Sequence, residues 1–392
     1  MNCNQNVCNR TFQKNIATFV IWYLNLNLEV SATHNTVIVG LSGGVDSSVA
    51  AYLLKEQGYQ VVGVTMAIWD GQYKTTGKHA CYGSDEEEEI GKARIVAEKL
   101  GIPYHVFDCS AEYKQVVLDY FKSEYLAGRT PNPCVQCNQL IKFGLLPSLA
   151  KKSGIVYDAF ATGHYAQVTL NAASGRFELR KAVDPKKDQT YFLYRLKQDQ
   201  LKQVLFPLGS FYKTDVKELA KKVGITVEDI EESQDFYSGD YKELFKVEKQ
   251  SGNIVDVKGN ILGRHDGIWN YTVGQRKGLG IAWSEPLYVV GLNKEKNTVV
   301  VGIREETFRT SFIVDELNWI SIGKLDHSFD GAVKIRSAQK EREAHIEPWE
   351  NGKIKVTFFH PNDAITPGQS AVFYDKDLVI GGGVITKVSN CE

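Results

Sequence analysis

Two short stretches of the chain bring together residue types that do chemistry. The first is Gly40-Leu41-Ser42-Gly43-Gly44-Val45-Asp46-Ser47. Adjacent glycines let successive backbone N–H groups converge on one anion, and the serines add hydroxyl donors. A kinase-type or GTPase-type loop would end in Gly-Lys-Ser/Thr, but Asp46 stands here instead. The second stretch is Gly128-Arg129-Thr130-Pro131-Asn132-Pro133-Cys134-Val135-Gln136-Cys137. Its prolines and glycine predict an extended loop that exposes both thiols, with Arg129 and Lys142 near enough to favour the thiolate. A C-x-x-C pair in an intracellular chain points to redox, metal or sulfur chemistry. No second C-x-x-C or H-x-x-x-H is present to complete a structural zinc site. Cys81 is a third thiol on a loop near the same sheet edge, and Cys81, Cys134 and Cys137 together would also suit an iron–sulfur cluster with one open iron.

The elements that must hold these residues are legible as an alternation of short β-branched runs and helical stretches. Strands are expected at 36–41, 60–66, 104–108 and 159–163, and helices at 47–57, 86–100 and 111–127. That pattern is a doubly wound, mostly parallel α/β sheet, with the phosphate loop at the carboxyl edge of its first strand. Met66 and Gly163 end two other strands and would lie at the same edge, where they could flank adenine or ribose; plain core packing is the competing reading for Met66. After a helix at 211–223 the sequence turns irregular through 280. Short strands at 287–292, 298–302, 331–335, 353–359 and 369–374 then read as a small β-barrel. The expected division is an N-terminal extension (1–34) outside the fold, a nucleotide-binding domain (35–205), a small central domain (206–280) and the barrel (281–392).

The chain of 392 residues carries a net charge of -1, so no global basic field advertises a nucleic acid, and any such contact must come from local patches. The exposed-looking pair Arg276-Lys277 is one candidate, with a solvated turn as its alternative. Seven scattered cysteines are too few for a disulfide scaffold and point to a reducing, cytoplasmic compartment. The apolar stretch 16–30 behind Arg10 and Lys14 superficially resembles a signal peptide, but Asn25, Asn27 and Glu29 interrupt it. No segment is long enough to span a membrane.

The motifs Ser42–Ser47, Thr130–Asn138, Ala161–Tyr165, Lys187–Tyr194, Gly274–Gly280 and Thr366–Tyr374, in this order, resemble the bacterial and organellar tRNA-specific 2-thiouridylases. The resemblance covers the chain from Asn35 to its end. It implies a pyrophosphatase-loop domain, a small central domain and a C-terminal barrel. It also implies that ATP and Mg2+ are bound, with Asp46 near the metal, and that a wobble uridine is adenylated before sulfur arrives from a cysteine persulfide. By position in the motifs, Cys137 matches the first catalytic cysteine and Asn132, Pro133 and Cys134 the stretch against the target base. Lys187, Asp188, Gln189, His164, Arg336, Ser337 and Gln369 match tRNA-contacting segments. The implied partners are tRNA and a persulfide-donating sulfur-transfer protein, and the chain is expected to act as a monomer.

At one point the sequence departs from this pattern. The family's second cysteine, which carries the persulfide, follows Ser-Gln-Asp; here Ser233-Gln234-Asp235 leads to Tyr237. A phenol cannot carry sulfane sulfur. In exchange, Cys134 stands where aspartate is usual. The expectation is that Cys134 and Cys137 share the sulfur relay, one holding the persulfide and the other resolving it. Two alternatives remain open: a tRNA-binding paralogue without catalysis, and a pyrophosphatase-loop ligase that adds nitrogen to an adenylated substrate.

Overall fold

The computed structural model describes residues 36–72, 80–225, 235–237, 244–245 and 247–388. The N-terminal extension, Ser233, Gln234 and the outlying Cys3, Cys8 and Cys391 lie outside the described residues. Strands β1 (Thr36–Gly40), β2 (Gln60–Ala67), β4 (Tyr104–Asp108), β5 (Ala159–Ala161) and β8 (Val204–Leu205) form a parallel sheet in the order β4-β2-β1-β5-β8. The short β3 (Ala80–Tyr82) lies outside that sheet and pairs in parallel with β9 (Asp235–Tyr237).

Strand alternation sorts the core into two layers. Val37, Val39 and Leu41 face helices α1 (Val45–Glu56) and α2 (Glu86–Leu100), burying Leu54, Ala93 and Ala97. Ile38 and Val64 face the opposite way, onto Phe143, Leu146 and Ala150. The sheet is therefore covered on both faces, as expected for a doubly wound fold. Four glutamates, Glu86 to Glu89, crowd the first turn of α2, where the helix dipole favours negative charge. Strand order reverses between β1 and β5, and in open α/β sheets that switch point is where ligands bind.

Helix α3 runs through Ser110–Tyr113, Lys114–Leu118 and Asp119–Leu126, with a π-helical middle. Helix α4 runs through Pro133–Gln136, Cys137–Leu145 and Leu146–Lys152, again with a π-helical centre. The cysteine segment is therefore the first turn of a helix, not the extended loop expected from its prolines. Asn132 supplies the cap, its Oδ1 accepting from Val135 N at 3.4 Å, and Pro133 occupies the first helical position, where its missing N–H costs nothing.

Strands β14 (Arg309–Trp319), β15 (Phe329–Lys334), β16 (Arg342–Pro348), β17 (Ile354–Asn362), β18 (Ser370–Asp375) and β19 (Leu378–Val388) close into a barrel through pairing of β14 with β19. Two features depart from the sequence reading. The hairpin β6 (Gln167–Asn171) and β7 (Arg176–Arg180), from the nucleotide-binding part of the chain, joins the barrel sheet where Arg180 pairs with Leu378. Strands β12 (Tyr288–Asn293) and β13 (Thr298–Gly302), grouped by sequence with the barrel, form instead a separate sheet with β10 (Gly252–Val255) and β11 (Ile261–His265), joined by pairing of β13 with β10. The four-residue β10 was too short to signal this separate sheet.

The loop before β18 clamps the cysteine segment. Thr130 N donates to Pro367 O at 2.8 Å, and Gln369 Nε2 donates to Thr130 O and Pro131 O at 3.0 and 3.1 Å. Gln369→Ala removes these two hydrogen bonds, and the longer one its Oε1 accepts from Tyr191 OH at 3.5 Å, and should lower unfolding stability by about 1–2 kcal/mol, read from the urea midpoint. An unchanged midpoint would mean that the clamp contributes nothing.

Candidate functional site

The phosphate loop joins β1 to α1 with Gly44 as the helix cap and Gly43 at φ +77°. Ser42 N donates to Ser47 Oγ at 3.2 Å, and Ser48 Oγ donates to Gly44 O at 2.8 Å, so the loop is braced internally. Thr65 Oγ1, from β2, donates to Leu41 O at 2.6 Å and fixes the loop's base. Gly163 follows β5 and packs directly on the loop: a Cβ there would meet Ser47 N at 2.6 Å and the Asp46 carbonyl carbon at 2.7 Å. Glycine is required at that position for close approach.

The loop opens onto a cleft of about 1180 Å³, bordered also by Val64, Met66, Thr162, Gly163, His164, Lys187 and Gln189. The volume is ample for a nucleotide. Five lysines (Lys142, Lys187, Lys213, Lys217, Lys221) face three carboxylates (Asp46, Glu86, Glu89) around it. A chain of near-zero net charge thus concentrates positive charge where phosphates would lie. The sequence reading missed Lys213, Lys217 and Lys221. They recur every fourth residue along α5 (Lys213–Lys222), while Val216 and Ala220 on that helix are buried. The four-residue spacing within the expected 211–223 helix was the available signal.

Asp46 is held on both oxygens by Lys213 Nζ at 2.7 Å and accepts from Tyr165 OH at 2.9 Å. Among the described residues no group of three or more His, Cys, Asp or Glu side chains could hold a metal. Cys81, Cys134 and Cys137 therefore do not form the iron–sulfur ligand set that their number allowed.

The two sulfur candidates lie one helical turn apart on α4, on one face of the helix. Both are half-buried, and they pack against the cluster of Tyr113, Phe121, Ile141 and Tyr237. Neither borders the cleft; the same helix reaches it through Lys142 and Leu146, and Cys81 borders it directly. The expected thiolate is not the resting form of Cys137. Burial pushes its thiol up to about 12, and the nearby Lys142 ammonium offsets only part of that. Arg129 gives no help, because its Nε donates to Glu124 Oε2 at 2.6 Å. A raised pKa leaves the thiol protonated at neutral pH, and the thiolate fraction grows about tenfold per pH unit below that value. Iodoacetamide should accordingly label Cys137 slowly at pH 7.5 and about tenfold faster at pH 8.5, as read by peptide mass spectrometry. A rate independent of pH over that range would contradict this.

The residues matched to tRNA-contacting segments fall into two groups. Lys187, Gln189 and His164 border the cleft, and Ser337 is exposed, as are Arg276 and Lys277. Buried bonds occupy Asp188 and Arg336, and also His164 at the cleft's edge. Asp188 accepts from Ala182 N at 3.2 Å and Thr190 Oγ1 at 2.8 Å, and burial raises its carboxyl. Arg336 donates to Val273 O at 3.0 Å and Thr366 Oγ1 at 2.6 Å. His164 Nδ1 lies 2.8 Å from Thr162 Oγ1, and burial, with Lys142 beside it, holds the imidazole neutral well below its usual range. Tyr237 is buried beside Tyr82, the ring centroids 6.1 Å apart.

Three family descriptions match in succession: a tRNA methyl transferase HUP domain over residues 35–237, a tRNA methyl transferase PRC-barrel domain over 245–303 and an aminomethyltransferase beta-barrel domain over 309–385. The chain is 48% identical to a tRNA-specific 2-thiouridylase MnmA of Endomicrobium trichonymphae, covering 90% of this chain and 99% of that protein. It is 47% identical to a tRNA-specific 2-thiouridylase MnmA 1 of Caldanaerobacter subterraneus, covering 90% and 98%. A relative of the same name in Acetivibrio thermocellus is 48% identical, covering 89% and 98%.

Proposed function

The chain belongs to the tRNA-specific 2-thiouridylase family, and on that footing we propose how its own residues carry out ATP-dependent thiolation of tRNA. The observation that carries the proposal is the joining of a phosphate loop and a two-cysteine helix across one sheet edge: α4 carries Cys134 and Cys137 and borders the phosphate-loop cleft through Lys142. The cleft fits ATP. The residues Gly40 to Ser47 cradle its phosphates, Gly163 allows the loop its close packing, and Met66 flanks the base. Magnesium would arrive on those phosphates, with Asp46 as the loop's carboxylate.

The wobble uridine's carbonyl oxygen attacks the first phosphate of ATP and pyrophosphate leaves, turning a poor leaving group into AMP. The surrounding lysines stabilise the charge that develops on pyrophosphate. The target base, taken out of its stack, rests against Asn132, Pro133 and Cys134, with Lys187, Asp188, Gln189, His164, Arg336, Ser337 and Gln369 forming or shaping the tRNA surface. Cys134 takes the place of the family's missing second cysteine and carries the persulfide. Its outer sulfur attacks the activated carbon and AMP leaves. Cys137, deprotonated on attack, then bonds to Cys134 Sγ and releases the thiolated base. The two thiols give up two electrons as they become a disulfide, the sulfane sulfur takes them, and a dithiol reductant restores the pair. The upstream sulfur source is a persulfide-donating protein, and the chain acts as a monomer in the cytoplasm.

The test is pyrophosphate release from ATP, measured with and without tRNA. This reading expects release that depends on tRNA. A non-catalytic paralogue would release none, and an amide ligase would ignore tRNA.

A further inference from the structure

Cys81 has no part in the chemistry above, yet its placement gives it one. It lies at the centre of β3, is exposed, and borders the same cleft as Ser42, Asp46 and Lys213. Cys134 and Cys137 are half-buried and set back from that cleft in the apolar cluster around Tyr113. The strand register adds a second observation. Ala80 is paired with Asp235 and Tyr82 with Tyr237 in the parallel β3–β9 bridge. Cys81 thus stands abreast of the segment in which a tyrosine has replaced the expected cysteine. Tyr82, the next residue, stacks on Tyr113 with ring centroids 5.7 Å apart, and Tyr113 shares its apolar cluster with Cys134 and Cys137. Cys81 is thus one residue removed from a ring stack that leads to the other two thiols, and it alone of the three borders the cleft.

We propose that Cys81 is the receiving thiol of a relay: it takes sulfane sulfur at the cleft from a protein-borne cysteine persulfide and hands it inward to Cys134. In the first step the Cys81 thiolate attacks the outer sulfur of the donor persulfide. A new S–S bond forms on Cys81, the donor's S–S bond breaks, and the donor leaves as a thiolate. In the second step the Cys134 thiolate attacks the same outer sulfur, and Cys81 is regenerated. Neither step changes the overall oxidation state, so no reductant is consumed before the base is thiolated. The arrangement accounts for how a donor too large to reach a half-buried thiol can still supply one. It rests on the reading that Cys134 carries the sulfur used in thiolation.

The experiment charges a cysteine desulfurase with radiolabelled cysteine, mixes it with the full chain, and maps persulfide by rapid quench and mass spectrometry. Label should appear on Cys81 before Cys134. In Cys81→Ser and Cys81→Ala, labelling of Cys134 by the desulfurase should fall at least tenfold, whereas sodium polysulfide, small enough to enter, should restore it to within about twofold. Both variants are judged on the labelling of Cys134, because Cys81 borders the cleft that takes ATP. Labelling of Cys134 at the unsubstituted rate in Cys81→Ser would overturn the relay, as would failure of polysulfide to restore labelling. Absence of tRNA-dependent pyrophosphate release in the unsubstituted chain would instead overturn the underlying function, which keeps the two failures distinguishable.

Discussion

Cys137→Ser should reduce formation of 2-thiouridine by about 10³-fold or more while leaving tRNA-dependent pyrophosphate release within about twofold, because removing a covalent participant costs on that scale. The two readouts separate because the thiol and the phosphate loop belong to different elements. Cys137 sits on α4 inside the cluster with Tyr113 and Ile141, whereas the loop is braced by Thr65 on β2 and by Gly163 just after β5. Serine is nearly isosteric and its hydroxyl can donate a hydrogen bond, so the helix should survive. Without the thiol, sulfur attached to the base through Cys134 has no internal partner to release it. The predicted residue of the reaction is a base–enzyme mixed disulfide that an added dithiol discharges slowly. If Cys137→Ser thiolated tRNA at the unsubstituted rate, the pairing of Cys134 with Cys137 would be wrong.

Gly163→Ala should lower the rate of adenylation by about 100-fold, the scale on which a displacement of an ångström in a reacting group is felt. The added Cβ would meet the backbone of Asp46 and Ser47 at 2.6–2.7 Å, and backbone cannot swing aside as a flexible side chain can. Either the phosphate loop shifts or the strand end does. Overpacking of this kind also costs about 1–3 kcal/mol of stability. ATP binding should weaken along with turnover, measured by titration calorimetry beside pyrophosphate release. An alanine variant with full activity would mean that the loop tolerates the shift and that its exact seat does not matter.

The parts of this molecule that were legible in the sequence are those whose physics is local. Val37, Ile38, Val39 and Leu41 make a short, nearly unbroken apolar run, and that announces a strand buried on both faces. The glycines of the phosphate loop announce an anion site for an equally local reason. The cysteine segment misled because Pro133 breaks a helix in its interior but suits its first turn, and only the Asn132 cap distinguishes the two cases. The thiolate expectation failed for a non-local reason: what surrounds Cys137 is contributed by the preceding helix α3 and by the distant strand β9, and Arg129 is committed to Glu124. Lys213 was passed over in the same way, since nothing near it in sequence says that it reaches Asp46 across 167 residues. The seam between the β6–β7 hairpin and the barrel is made by one strand pairing, Arg180 with Leu378, and by bonds such as Arg176 to Ile320 O and Lys181 N to Asp377 O, partners too far apart in sequence to be read from it.

The central claim, that this chain joins ATP cleavage to sulfur insertion into tRNA, is tested most directly by nucleoside mass spectrometry of tRNA lacking the modification. The tRNA is incubated with the full chain, ATP, magnesium, a charged cysteine desulfurase and a dithiol. The account predicts 2-thiouridine appearing in step with AMP and pyrophosphate, one of each per modified base, and none when ATP is omitted. Cleavage of ATP with tRNA but no thiolated nucleoside, or a thiolated nucleoside formed without ATP, would contradict it.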